Sequence, residues 1–409
     1  MRRRIWKTRA TWPGLRRTCV CDLFHAPLSR RFAMRFSIRL QSLMVAVALL
    51  CGAPVALHAA AAAGALQKAK QEAEAKGFIF ETSRDEIVAK ARKEGKLRVL
   101  TSLENESLKP VSEAFRKKYP FIDLRAEEIA GTDTYQRMLL EMKSGTASGW
   151  DVNYLTTDFY DDYFPHQKKF DVLGMAQHGV LQMPVGMIDP VNRNIVAYST
   201  NTQVVAYNKK LIAEQRVPAA WEDFLKPEFK GRKFLVDIRP QEVANLVPAW
   251  GLEKTLQFAK AIAAQEPIWI RGHSRTLAAM VAGEYPMLLG ANLNSTKRAM
   301  AKDRTGSLAF KVVEPVPIRI ADHEAVFAKA SSPYAGLLWL EFIASAETQN
   351  IINRDDKGSV FFPGTTPHQL TQGKKVSVVA WEHAPKLEEL QKKVFEAYGF
   401  PKAQAVGSK

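Results

Sequence analysis

The chain has 409 residues, 46% hydrophobic and 24% charged, with a formal net charge of +16. This composition excludes a disordered or collagen-like chain, and the length exceeds what one hydrophobic core usually serves, so two domains are expected. The positive charge does not call for nucleic acid, because residues 1–60 hold eleven Lys/Arg against Asp22 alone, leaving 47 basic and 41 acidic residues elsewhere.

The N-terminal region reads as a targeting segment. Residues 34–61 begin with basic Met34-Arg35-Phe36-Ser37-Ile38-Arg39, continue through the apolar run Leu43 to Leu50, and end at Ala59-Ala60-Ala61. A basic start, a short apolar core and small residues at the end are the marks of a cleaved secretory signal. The apolar run is too short to cross a bilayer comfortably. Residues 1–33 are arginine-rich without a periodic core and read as an over-long gene start or an extended leader, since Met34 is an equally good start. Cys19, Cys21 and Cys51 all precede the expected cut, so the mature chain needs no disulfide. Cys51 raises lipid anchoring, but Leu50 before it is large where a lipoprotein signal wants a small residue.

The remaining chain alternates strand and helix signals. Residues 62–94 form an Ala/Lys/Glu-rich helical extension, expected at the surface. Leu97–Leu100 reads as a strand, followed by a helix with Leu108, Val111 and Phe115 on one face. Phe121–Ile129 is a second strand, Gly131-Thr132 opens a helix, and Trp150–Leu155 is a third strand. This βαβαβ order predicts an α/β fold with mostly parallel sheets covered by helices. Asn194–Tyr198 and Gln203–Tyr207 are two close strand candidates that carry the chain out of the first lobe. A short helix at Trp221–Leu225, a strand at Phe234–Val236, helices over 241–264 and 274–282, and a strand at Pro286–Leu289 follow. Ser332-Pro333 opens a helix through Phe342 by capping and first-turn proline, and a last helix covers 384–398.

Several ordered segments carry a family resemblance: Val204-Val205-Ala206-Tyr207-Asn208-Lys209, Pro218–Phe224, Pro227-Glu228-Phe229-Lys230-Gly231-Arg232, Ala282-Gly283-Glu284, Pro333-Tyr334-Ala335-Gly336 and Glu341–Ser345. In this order the chain resembles the type II periplasmic solute-binding proteins of ATP-binding-cassette (ABC) importers, in the branch of ferric, polyamine and small-solute receptors. The resemblance implies two lobes joined by a hinge, with 95–202 and 319–409 in lobe 1, including the C-terminal helices, and 203–318 in lobe 2. It implies a monomeric periplasmic receptor that closes on a solute and delivers it to an inner-membrane permease with a cytoplasmic ATPase. A sensory receptor of the same fold is an alternative; a secreted enzyme is disfavoured, and no cofactor or nucleic-acid partner is expected.

Ligands of open α/β sheets sit beyond the carboxyl ends of strands. Ser102, Thr132 and Thr157 fall there in lobe 1, where hydroxyls and helix-end amides hold oxygen atoms or serve as ordinary caps. In lobe 2, Arg239, Arg271 and Asn292 follow strands, and guanidinium groups clamp carboxylate-like anions with paired donors. Arg239 has a competing reading, neutralisation of Asp237 or Glu242 across its own loop. Trp250 and Trp269 read as packing residues rather than solute platforms.

Ferric receptors of this family resemble one another in an adjacent tyrosine pair shortly after the Gly-Glu strand. Here that stretch reads Leu293-Asn294, and Tyr285 comes too early. The expected solute is therefore a small organic anion, with a ferric-ion or polyamine receptor as the alternatives. The histidines show no close ligand spacing, and no His-Glu-x-x-His motif, phosphate loop or nucleophile elbow is present. No metal or catalytic residue is expected.

Sequencing the exported protein should place its first residue close to Ala60–Ala62. Recovery of Met1, or of a lipid on Cys51, would overturn the signal-peptide reading.

Overall fold

Lys96–Thr101 forms the first strand, β1, with Leu97 and Val99 fully buried, in a computed structural model that describes residues 63–129, 132–155, 159–355 and 357–400. The expected leader and signal peptide, with Cys51 and Thr157, lie outside the described residues. The chain divides into the units Met1–Gly64 and Ala65–Lys409, and every strand belongs to the second.

β1 pairs in parallel with β2 (Asp123–Glu128) and β3 (Val152–Leu155), as the βαβαβ pattern predicts. The connecting helix Asn105–Lys118 buries Leu108, Val111 and Phe115. Phe115 meets Trp339 and Phe342 with ring centroids 5.3 and 5.4 Å apart. Each such buried side chain contributes about 1.5–3 kcal/mol by transfer from water, so this trio anchors the first half.

The extension before β1 is more deeply built in than its composition predicts. It holds one helix over 63–75 and a second at Arg84–Glu94. The second has a working cap at each end: Ser83 accepts from the Glu86 amide, and Gly95 takes the left-handed conformation at φ 65°. Phe80, Ile87 and Ala91 are buried, and Arg84 pairs with Glu341 at 2.8 Å. The segment is part of the core because its few apolar residues are spaced to one face.

The two expected strands at 194–198 and 203–207 are one strand, β4 (Ile195–Asn208). Ser199-Thr200-Asn201-Thr202 interrupts the apolar pattern, but all but Asn201 are buried and the backbone stays paired with β9 (Val316–Val326). Polar residues tolerate a strand interior where the ladder satisfies their backbone. Residues 195–202 pair with β9, whereas from Gln203 onward the strand pairs with β7 (Met287–Asn292) and β8 (Leu308–Lys311). The first segment of sheet runs β2-β1-β3-β9-β4 and the second β4-β7-β5-β6, with β5 at Leu235–Asp237 and β6 at Ile268–Ile270. β10 (Val376–Val379) flanks β9 in parallel. This is the two-part α/β architecture of type II solute-binding proteins.

The stretch 241–264 is three helices, Gln241–Ala244, Val247–Trp250 and Leu252–Ala264. Pro248 in the first turn of the second and Gly251 at φ 78° after it account for the breaks. A second correction concerns the C-terminus. Pro333–Ile343 packs in the first half, but Leu387–Ala397 does not: Val394 and Tyr398 join Trp221, Phe234 and Val236 in the core of the second half. Short-range pattern showed an amphipathic helix there but not which sheet its apolar face would meet.

Glu324 is fully buried in β9, with Oε2 accepting from Trp339 Nε1 at 2.7 Å. Burial pushes its pKa to about 7, against about 4.3 for an unfolded glutamate. Below both values the protonation states match; as pH rises between them, the unfolded chain loses its proton and the folded chain keeps it. Stability is therefore lost across roughly pH 4 to 7. Urea unfolding of Glu324→Gln should show the variant gaining on wild type as pH rises from 4 to 8, and a pH-independent difference would refute this account.

Candidate functional site in the cleft

Where β4 passes from one half to the other, a cavity of about 360 Å³ opens between the halves. The first half contributes Glu104, Asp322 and Lys357; β4 and β9 contribute Asn201, Gln203 and Arg319 to its floor. The second half contributes Arg239, Glu242, His273, Asn292, Asn294 and Arg298. Four cationic and three carboxylate side chains thus line one cleft.

Asp237, at the end of β5, organises the second wall. Its buried carboxylate accepts from the Arg239 amide at 2.9 Å, from Arg239 Nη2 at 2.6 Å and from the Gly272 amide at 2.9 Å. Burial alone would raise its pKa, but Arg239 and the two amides outweigh that and hold it below the ordinary aspartate value. Arg239 is therefore tied back across its own loop, although its side chain remains 44% exposed.

Beside this pair, His273 Nε2 lies 3.3 Å from Glu242 Oε1 and 3.6 Å from Asp237 Oδ2. These three residues bring possible metal-ligand atoms within 4.8 Å of one another. Gly290 makes the crowding possible: a Cβ there would stand 2.7 Å from the Glu242 Cβ. The Asn292 amide points at His273 Nδ1 at 3.3 Å, a contact that favours the tautomer with its proton on Nε2, toward Glu242. Glu242 Oε2 is buried without a hydrogen-bond partner. Of the three, Glu242 is thus the readiest cation ligand, His273 needs the other tautomer, and Asp237 is already engaged.

The structure brings Arg239 and Asn292 to the cleft. Asn292 also caps the helix Leu293–Lys302, its Oδ1 accepting from the Ser295 amide at 3.1 Å. Ser102 stands one contact behind, donating to Asp322 Oδ1 at 2.7 Å. Thr132 begins the helix Thr132–Ser144. Arg271 is exposed after β6 and is not among the residues lining the cavity. Trp250 packs on Phe258 and Trp269 on Tyr398, as expected of packing residues. Sequence reasoning named Glu242 only as a counter-ion to Arg239 and missed Glu104, His273, Arg298, Arg319, Asp322 and Lys357. Arg319 and Asp322 had a signal, charged residues inside the strand pattern Ile318-Arg319-Ile320-Ala321-Asp322; the others had none.

The profile of a family described as bacterial extracellular solute-binding protein matches residues 155–386, more than half of the chain. The chain belongs to this family. As a solute-binding protein it is a receptor, not an enzyme, and transport is its setting. A search of curated proteins gives no significant match. Among solved structures, this solute-binding protein is similar to the open form of the ferric iron-binding protein A of Mannheimia haemolytica, at 17% identity and TM-score 0.58, covering 74% of this chain and 98% of that one. It is also similar to the Trichodesmium protein IdiA (FutA) in complex with iron and citrate, at 16% identity and TM-score 0.56, covering 75% and 100%. A third is the substrate-binding protein of an ABC transporter from Agrobacterium tumefaciens, at 17% identity and TM-score 0.55, covering 74% and 95%. These likenesses establish the fold. Among the described residues, no helix is long and apolar enough to cross a membrane.

Asp237→Asn should lower the urea midpoint at neutral pH by an amount equivalent to about 1–3 kcal/mol, the scale of hydrogen bonds to a charged group. Because the folded pKa is depressed, this stabilisation is present above the ordinary aspartate range and fades as pH falls through the folded value. An unchanged midpoint at pH 7 would show that the Asp237 contacts contribute nothing net.

Proposed function

We propose that this solute-binding protein takes up ferric iron together with small carboxylate ligands and hands it to an inner-membrane ABC permease. The observation that carries the reading is the pairing, in one cleft, of the unsatisfied Glu242 carboxylate beside His273 with the cationic Arg298, Arg319 and Lys357. Ferric iron is a hard ion that favours carboxylate oxygen, while a carboxylate escort favours guanidinium and ammonium donors. Relatives of the same fold support it, one described as a ferric iron-binding protein and another in complex with iron and citrate. They favour the iron alternative over the metal-free organic anion expected from the sequence.

The missing tyrosine pair changes the form of the site rather than removing it. No tyrosine lines the cleft among the described residues, and Asn294 stands in the wall at the matching position. Iron here would draw on carboxylate and on its own escort. A polyamine is disfavoured, since four cationic side chains line the cavity. A metal-free organic anion remains the second reading, favoured by Arg319, whose guanidinium lines the cavity from β9.

Calorimetry with ferric citrate, citrate and spermidine tests this. Ferric citrate should bind most tightly and spermidine not at all, and the loaded protein should lack an intense tyrosinate-to-iron visible band. Glu242→Ala should weaken ferric citrate at least about tenfold, equivalent to about 1.4 kcal/mol, and leave citrate nearly unchanged. Equal binding of citrate with and without iron, indifferent to Glu242→Ala, would replace iron by the organic anion.

A further inference from the structure

Glu104 sits one residue before the helix Asn105–Lys118, at its N-cap, yet its side chain makes no capping hydrogen bond. Its carboxylate turns across the cleft instead. Oε1 accepts from Arg298 Nη1 on the helix Leu293–Lys302 of the second half and lies 3.4 Å from Lys357 Nζ of the first. Lys357 is held by its own half, donating to the Ser102 carbonyl at 3.4 Å, and its side chain is only 11% exposed. One carboxylate thus serves two cations, and Arg319 lines the same cavity. The bridge joins residues 194 positions apart and spans the two sheet segments that share β4.

A glutamate in this position has an evident alternative use. Helix N-caps favour Ser, Thr, Asp or Asn because a short side chain reaches the free amides, and Glu104 is too long for that geometry. What its length allows is a reach into the cleft. Burial would raise the Glu104 pKa, but Lys357 and Arg298 outweigh it and hold the group below the ordinary glutamate value, so it is ionised throughout the neutral range.

We propose that Glu104 is a tethered stand-in for the solute's anionic group, bridging the two halves through Arg298 and Lys357 and giving up these cations when a solute carboxylate arrives. This rests on the reading that the solute brings carboxylates. Two carboxylates cannot share the pair without mutual repulsion, so binding is an exchange. The apparent affinity is lowered by the share of molecules in which Glu104 holds the cations. The exchange also selects: a neutral solute has nothing to offer Arg298 and Lys357 once Glu104 leaves, whereas a carboxylate replaces what is lost.

The test combines a distance with an affinity. The chain beyond Cys51 has no cysteine, so spin labels at E113C and K302C in the mature protein report on the halves alone. Relative to wild type, Glu104→Gln should lengthen or broaden the label-to-label distance and bind citrate about two- to fivefold more tightly, the scale of a half-exposed ion pair. Arg298→Met should open the halves likewise but weaken citrate, because it removes a solute contact rather than a competitor. Circular dichroism melting checks that each variant is folded. An unchanged distance in Glu104→Gln, or weaker citrate binding by it, overturns the proposal. If Glu104→Gln opens and no protein binds citrate or ferric citrate, the bridge stands, while the solute reading and the stand-in role fall. If citrate binds normally and the halves never move, the bridge falls and the solute reading survives.

Discussion

The antiparallel ladder between β4 and β9 is the constraint on which the rest of the molecule depends. Its registered pairs run from Ile195↔Ala325 to Thr202↔Ile318, and β4 then continues into the other sheet segment without a break. A shift of one residue would turn every side chain of a strand to the opposite face. The register therefore fixes which residues of β9 face Val196, Ala197 and Ser199, and it carries Asn201, Gln203, Arg319 and Asp322 to the floor of the cleft. Asp322 is the clearest case. It takes φ 54°, costly for a non-glycine residue, and is held there by hydrogen bonds from Ser102 and Ser199. The strain sits in the floor of the cleft and is offset by these two hydrogen bonds.

On this frame the cleft is a balance of charges in which neither sign dominates. Asp237 holds Arg239, Glu104 holds Arg298 and Lys357, and Ser102 and Ser199 hold Asp322. Among the described residues, the acceptors Glu242 Oε2, Gln203 Oε1 and Asn245 Oδ1 stay without a hydrogen-bond partner at this cavity. A lone cation would meet four positive side chains, and a lone anion would meet three negative ones. A cation carried with its own anions, as in the proposed solute, would meet partners of both kinds. The walls are built to hold such a balance, since Asp237 fixes the loops at both Arg239 and Gly272 from a fully buried position.

The α/β class expected from the sequence was right because it rested on strongly periodic elements. β1, the helix buried through Val111 and Phe115, and the helix Pro333–Ile343 each have a pattern that local rules read correctly. The failures share one cause. The break placed between Tyr198 and Gln203, the surface position given to 62–94 and the lobe given to Leu387–Ala397 all depend on which distant segment a stretch meets. Arg239 illustrates both sides: its loop was legible, as was its competition for Asp237, but only the fold shows that Asp237 holds it.

By itself the sequence determined the α/β class, the order of strands and helices in the first sheet and the absence of a tyrosine pair at Leu293-Asn294. Those features rest on neighbours a few residues apart, whose spacing is written in the chain. Only the tertiary structure decided that Glu104 meets Arg298, that Lys357 closes on the same carboxylate, and that Gly290 makes room for Glu242 beside His273. Contacts between residues tens to hundreds of positions apart follow from strand register and helix packing, which no local spacing encodes.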